Sequence, residues 1–106
     1  METLTFEFQA GTPLRASVRT GVVASGDLEI LLSPAPSTLT RVTITTAVNG
    51  KQALWAAVLN RFFDTSHRPA AHIEINDNGA TPGVVRLRLE QAFELADHET
   101  PYEHTH

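Results

Sequence analysis

Thr81-Pro82-Gly83-Val84-Val85-Arg86-Leu87-Arg88-Leu89 can be read two ways, and the fold turns on the choice. Its second half alternates apolar and charged residues, as a half-buried strand does. Yet Val85, Leu89, Ala92, Phe93 and Ala96 keep helical spacing through the residues that follow. Thr81 offers the side-chain acceptor of an N-cap. Pro82 suits the first helical position, where a missing N–H loses no bond. The spacing and the cap together predict a helix.

Working back from that helix, Asp77-Asn78-Gly79-Ala80 reads as a loop and Ala70 to Asn76 as an alternating strand. Before them, Leu54, Trp55, Val58, Leu59, Phe62 and Phe63 recur at the period of an amphipathic helix beginning near Lys51. The sole Trp and two of the five Phe lie here and are expected to pack on a sheet rather than line a ligand pocket.

The first half of the chain is β in character. Leu4-Thr5-Phe6-Glu7-Phe8 alternates, Arg15 to Val23 is a weaker strand, and Asp27 to Leu32 turns Leu28, Ile30 and Leu32 to one face. Pro34 and Pro36 mark a loop, since proline cannot sit inside a ladder. Arg41 to Val48 is a further strand, closed by a turn at Asn49-Gly50. The order β-β-β-β-α-β-α predicts an α+β two-layer sandwich, a mostly antiparallel sheet of about five strands with two helices on one face. A single domain over 1–97 and a frayed polar tail over 98–106 are expected. Strand order does not follow from the pattern.

Composition narrows the function. The chain of 106 residues has no cysteine, so it forms no disulfide and offers no thiol of its own. Its net charge is −4, Lys51 is the only lysine and the arginines are scattered, which argues against nucleic acid. No apolar run is long enough to cross a bilayer and no leader pattern opens the chain, so a cytoplasmic protein without membrane insertion is expected. His98, His104 and His106 lack a supporting frame of ligands, and no metal site is expected. No Gly-x-Ser-x-Gly elbow, P-loop or dinucleotide fingerprint is present. Asp27 and Glu29 would share one strand face, an arrangement more often solvated than catalytic, so the chain is not expected to be an enzyme by itself.

Between the two strands of the first hairpin lies Gly21-Val22-Val23-Ala24-Ser25-Gly26-Asp27. Apolar runs meet there at a turn whose tip is Ser25-Gly26-Asp27, with Gly26 free to take positive φ. Such a turn would hold the Ser25 hydroxyl outward. By itself the motif is ordinary turn chemistry.

Three blocks carry a resemblance: Val23 to Glu29, Val48-Asn49-Gly50, and Asp77 to Glu90. In this order they resemble the acyl carrier (delta) subunit family of malonate decarboxylase and are more distantly similar to the citrate lyase acyl carrier (gamma) subunit. The likeness spans Met1 to about Asp97. It implies that Ser25 carries 2′-(5″-phosphoribosyl)-3′-dephospho-CoA through a phosphodiester, with Gly26 and Asp27 as the supporting turn. It further implies an acyltransferase (alpha) subunit that exchanges acetyl for malonyl on the cofactor thiol. Decarboxylase (beta and gamma) subunits then release CO₂, and a prosthetic-group transferase loads the serine. A thioester suits this chemistry because its neutral carbonyl accepts the electron pair that CO₂ leaves behind, which an anionic carboxylate does poorly.

Within that picture Asp27 either steers the loading enzyme or bonds the turn, and the turn is favoured. Asn49, Gly50, Asp77, Asn78 and Gly79 either approach the same face as partner contacts or serve turn chemistry alone. The rival reading is a non-catalytic adaptor whose hairpin docks without any covalent cofactor.

Overall fold

The computed structural model describes residues 1–64 and 68–98. The expected tail lies outside the described residues except for His98, the last residue of the second helix, and His67 lies outside them as well. The elements are β1 (Glu2–Gln9), β2 (Val18–Gly21), β3 (Asp27–Pro34), β4 (Leu39–Thr46), α1 (Gln52–Asp64), β5 (Ala71–Asn78) and α2 (Pro82–His98). The ambiguous segment is helical, and the Val84 amide donates to Thr81 Oγ1 at 3.4 Å as an N-cap requires.

The five strands form one sheet in the order β1-β4-β5-β3-β2. Three neighbouring pairs are antiparallel. The central pair, β4 and β5, is parallel, with Ile44 opposite Ile75. A parallel pair needs a crossover rather than a hairpin, and α1 is that crossover.

Alternation then divides the sheet. Leu28, Ile30, Leu32, Val42, Ile44, Ile73 and Ile75 are almost fully buried. They join Trp55, Leu59 and Phe62 of α1 and Val85, Leu89 and Phe93 of α2 in one core. Trp55 is a core residue, as its place in the apolar stripe implied. Phe62, Phe63 and Phe93 cluster at the α1–α2 junction, where the Arg68 guanidinium sits 3.9 Å over the Phe62 ring.

Several element ends differ from the sequence reading. β3 runs on through Ser33 to Pro34, which stands opposite Ala71 beyond the last residue that β2 pairs, so the loop begins after Pro34 rather than before it. β4 closes at Thr46 instead of Val48. β2 is only four residues long, and Val22 and Val23 are 57% and 58% exposed instead of continuing it. Pairing stops at Gly21, opposite Glu29, where φ of +81° swings the chain out of the strand. Asp77 and Asn78 belong to β5 rather than to a loop, because β4 pairs Thr46 with Asp77 and β3 pairs Asp27 with Asn78.

Candidate functional site

The sheet topology gathers the singled-out residues at one end. Thr46, Gly21, Asn78 and Asp27 are all terminal residues of their strands at that end. The β2–β3, β4–α1 and β5–α2 connections therefore leave the sheet together, and both helices start there. Neither helix has an acidic residue in its first turn, so the positive end of each peptide dipole is not offset by its own side chains.

Ser25 lies in the β2–β3 loop and is exposed. Its hydroxyl has no partner among the described residues. Ser17, Ser33 and Ser37 are exposed as well, so exposure does not single Ser25 out. Its setting does. Ala24 and Gly26 leave it uncrowded, while the loop around it is fastened. The Gly26 amide donates to the Asn78 carbonyl at 2.8 Å, and the Asp27 amide donates to the Ala24 carbonyl at 2.9 Å. Gly26 has φ of +75° with nothing close to its missing Cβ. The hydrogen-bonded turn is Ala24-Ser25-Gly26-Asp27, and Asp27, which closes it, is also the first residue of β3.

Asp27 supplies the strongest fastening. Arg88 of α2 donates from Nε to Asp27 Oδ1 at 3.1 Å and from Nη2 to Oδ2 at 2.7 Å. The Leu28 amide also donates to Oδ1, at 2.7 Å. The Arg88 pair, then the Leu28 amide, holds the Asp27 carboxyl below its usual range, and Asp27 in turn raises Arg88. Arg88 donates as well to Gln91 Oε1 at 3.1 Å, which fixes the guanidinium on the helix. Glu29 is held separately, by Arg19 at 3.6 Å and by Asn76 at 3.1 Å.

Arg88 is the residue that sequence reasoning missed as part of this site. Only its charge on an otherwise amphipathic helix signalled it, and that charge reads as solvated until the register of α2 on β3 is known.

Asp77 is buried. It accepts from Thr46 Oγ1 at 2.8 Å, from the Gly79 amide at 3.2 Å and from the Ala80 amide at 3.0 Å. It ties the end of β4 to the loop entering α2. Asn49 and Gly50 are exposed, and the Gly50 amide donates to Glu2 Oε1 at 3.1 Å. Gly79 lies against the Ser25 loop, since a Cβ placed on it would come within 4.0 Å of the Gly26 nitrogen. Among the described residues no cluster of three metal-ligating side chains occurs, and no helix is long and apolar enough to cross a membrane.

The family model described as malonate decarboxylase delta subunit (MdcD) matches residues 15–96. The chain belongs to this family. A malonate decarboxylase acyl carrier protein of Pseudomonas aeruginosa (strain UCBPP-PA14) is 54% identical over 99 residues, covering 93% of this chain and all of the relative. One from Azotobacter vinelandii is 51% identical over 94 residues, covering 89% of this chain and 95% of the relative. A solved chain from a Pseudomonas malonate decarboxylase hetero-tetramer in complex with malonate superposes with a TM-score of 0.88 at 51% identity. It covers 91% of this chain and 99% of that one. The delta-subunit match takes in both halves of the Asp27–Arg88 clamp and all three connections at the Ser25 end.

Proposed function

We propose that this chain is the acyl carrier subunit of a malonate decarboxylase and that Ser25 is the attachment point of its prosthetic group. The observation that carries the reading is an exposed, unpartnered hydroxyl on a loop fastened at both sides, in a chain of the delta-subunit family. The group is 2′-(5″-phosphoribosyl)-3′-dephospho-CoA. When bound it supplies the thiol that this cysteine-free chain lacks.

The residues present fit such a group. Ala24 and Gly26 leave room for a bulky substituent, and the two helix starts at this end favour a phosphodiester over a neutral one. Asp27 and Arg88 hold the loop's departing strand. The protein's own contribution is presentation: a tethered acyl group visits partner active sites at high effective concentration without release. The partners are the acyltransferase (alpha) subunit, the decarboxylase (beta and gamma) subunits and a prosthetic-group transferase. The chain itself is non-catalytic and works in the cytoplasm. Exposed Val22 and Val23, together with Asn49, Gly50, Asn78 and Gly79 at the same end, are the surface offered to those partners.

Intact mass of the protein purified from its own host tests the reading. The wild-type chain is expected to carry the mass of the group and Ser25→Ala to lose it. An unmodified wild-type chain from that host would instead favour the adaptor that docks without a cofactor.

A further inference from the structure

Beside the Ser25 loop, between the N-terminal turns of α1 and α2, lies a cavity of about 130 Å³. Its walls include Val48, Leu54, Trp55, Val58, Ala80 and Val85. Gly79 also borders it, and Gly79 is the residue packed against the Gly26 amide, one residue from Ser25. A far larger recess of about 570 Å³ lies at the opposite end of the molecule, around Leu14, Arg15 and Arg68, out of line with the loop.

We propose that the smaller cavity receives the acetyl thioester end of the prosthetic arm, an inference that rests on attachment at Ser25. Two features choose this occupant. The lining is mostly apolar, matching a methyl and a sulfur rather than a sugar or a phosphate. The volume is small, so it admits the acyl end and not the nucleotide. The wall also carries Lys51, which is exposed, and Asp77, which is buried with its oxygens already bonded to Thr46, Gly79 and Ala80. Acetyl rests against the apolar side of the cavity, at Trp55.

Trp55 is the only tryptophan in the chain and borders the cavity, so its emission reports occupancy directly. The holo-protein from its own host is first weighed to establish that Ser25 is loaded. Acetyl is then removed with hydroxylamine, which breaks the acyl C–S bond, forms a C–N bond and leaves the free thiol. The acetylated form is expected to emit to the blue of the thiol form. Ala80→Leu, which fills the space, is expected to abolish the difference. Methyl resonances of Val58 and Val85 in the wild-type protein read the same event without any variant, and are expected to shift on deacetylation. A loaded protein whose Trp55 emission and methyl spectrum ignore acetylation overturns the cavity while leaving the carrier standing. A bare Ser25 overturns the carrier reading and this inference with it.

Discussion

Gly21 and Gly26 both hold positive φ, yet their surroundings make different demands. A Cβ at Gly21 would run into the Leu28 carbonyl oxygen and come to 3.4 Å from Arg88 Cδ. Gly21→Ala is therefore expected to lower unfolding free energy by about 2–4 kcal/mol, combining left-handed strain with overpacking. Gly26→Ala meets open space and is expected to lose only about 1 kcal/mol. Urea midpoints of the two variants check the ranking, and equal losses would show that the approach of the Leu28 carbonyl of β3 to Gly21 is not tight. Asp27 makes a prediction of another kind. Its carboxyl is depressed in the fold, so its contribution is fully present above the ordinary aspartate value of about 3.9 and is lost as pH falls through the lower, folded value. The stability gap between wild type and Asp27→Asn should thus be constant near neutrality and close below about pH 4. Urea melts across that range measure it, and a gap that persists in acid would mean that the ion pair with Arg88 contributes nothing. Arg88 did not stand out in the sequence, because it acquires its role from Asp27, far along the chain, whereas the demand on Gly21 comes from Leu28 across the same hairpin and shows only once the two strands are paired. Ser25, by contrast, was legible as an exposed turn residue from its immediate neighbours.

The elements themselves were largely readable because the forces that define them are local. Thr81 and Pro82 decided between helix and strand for Val84 to Leu89, and the cap is present. Alternation in Asp27 to Leu32 placed Leu28, Ile30 and Leu32 in the core, where they are. Element ends were harder. Asp77-Asn78-Gly79 has the composition of a turn, but the strands on either side pair with Asp77 and Asn78 and draw them into β5. Val22 and Val23 have strand propensity and lose it to Gly21, where the ladder stops. The junction of β5 with α2 depends on one carboxylate. Asp77→Ala would leave the Thr46 hydroxyl and the Gly79 and Ala80 amides without their acceptor. A loss of about 1–2 kcal/mol is expected, because Gly79 is exposed and the Thr46 hydroxyl keeps the Val48 carbonyl as an acceptor. Asp77→Asn, which keeps an acceptor oxygen, is expected to recover part of it. Thermal or urea unfolding of the two variants decides, and equal losses would place the effect in charge rather than in the bonds to the loop.

Strand order could not be read, since pairing joins residues tens of positions apart and any hairpin order satisfies the same alternation. The order is nonetheless what builds the site. Because β4 and β5 are parallel, their outgoing loops lie at one end. Because β3 runs antiparallel to β5, its incoming loop, with Ser25, lies there too. An eight-residue strand spans about 26 Å, which separates this end from Thr12 to Arg15 and from Arg68 to Ala70 at the other. The chain has no cysteine, so Ser25→Cys creates a single attachment point for a nitroxide. Exposure of Ser25 predicts rapid labelling under native conditions. Paramagnetic broadening should then be strongest in Gly79 to Pro82, on the loop beside Gly26, and extend to Val48 and Gly50 in the β4–α1 connection. Leu14 and Ala70 should stay sharp, since they are bonded together at the far end of the sheet. Broadening at Leu14 with Gly79 spared would reverse the direction of the β2–β3 loop. It would also part the attachment point from the cavity beside Trp55, because both depend on the same convergence of three connections.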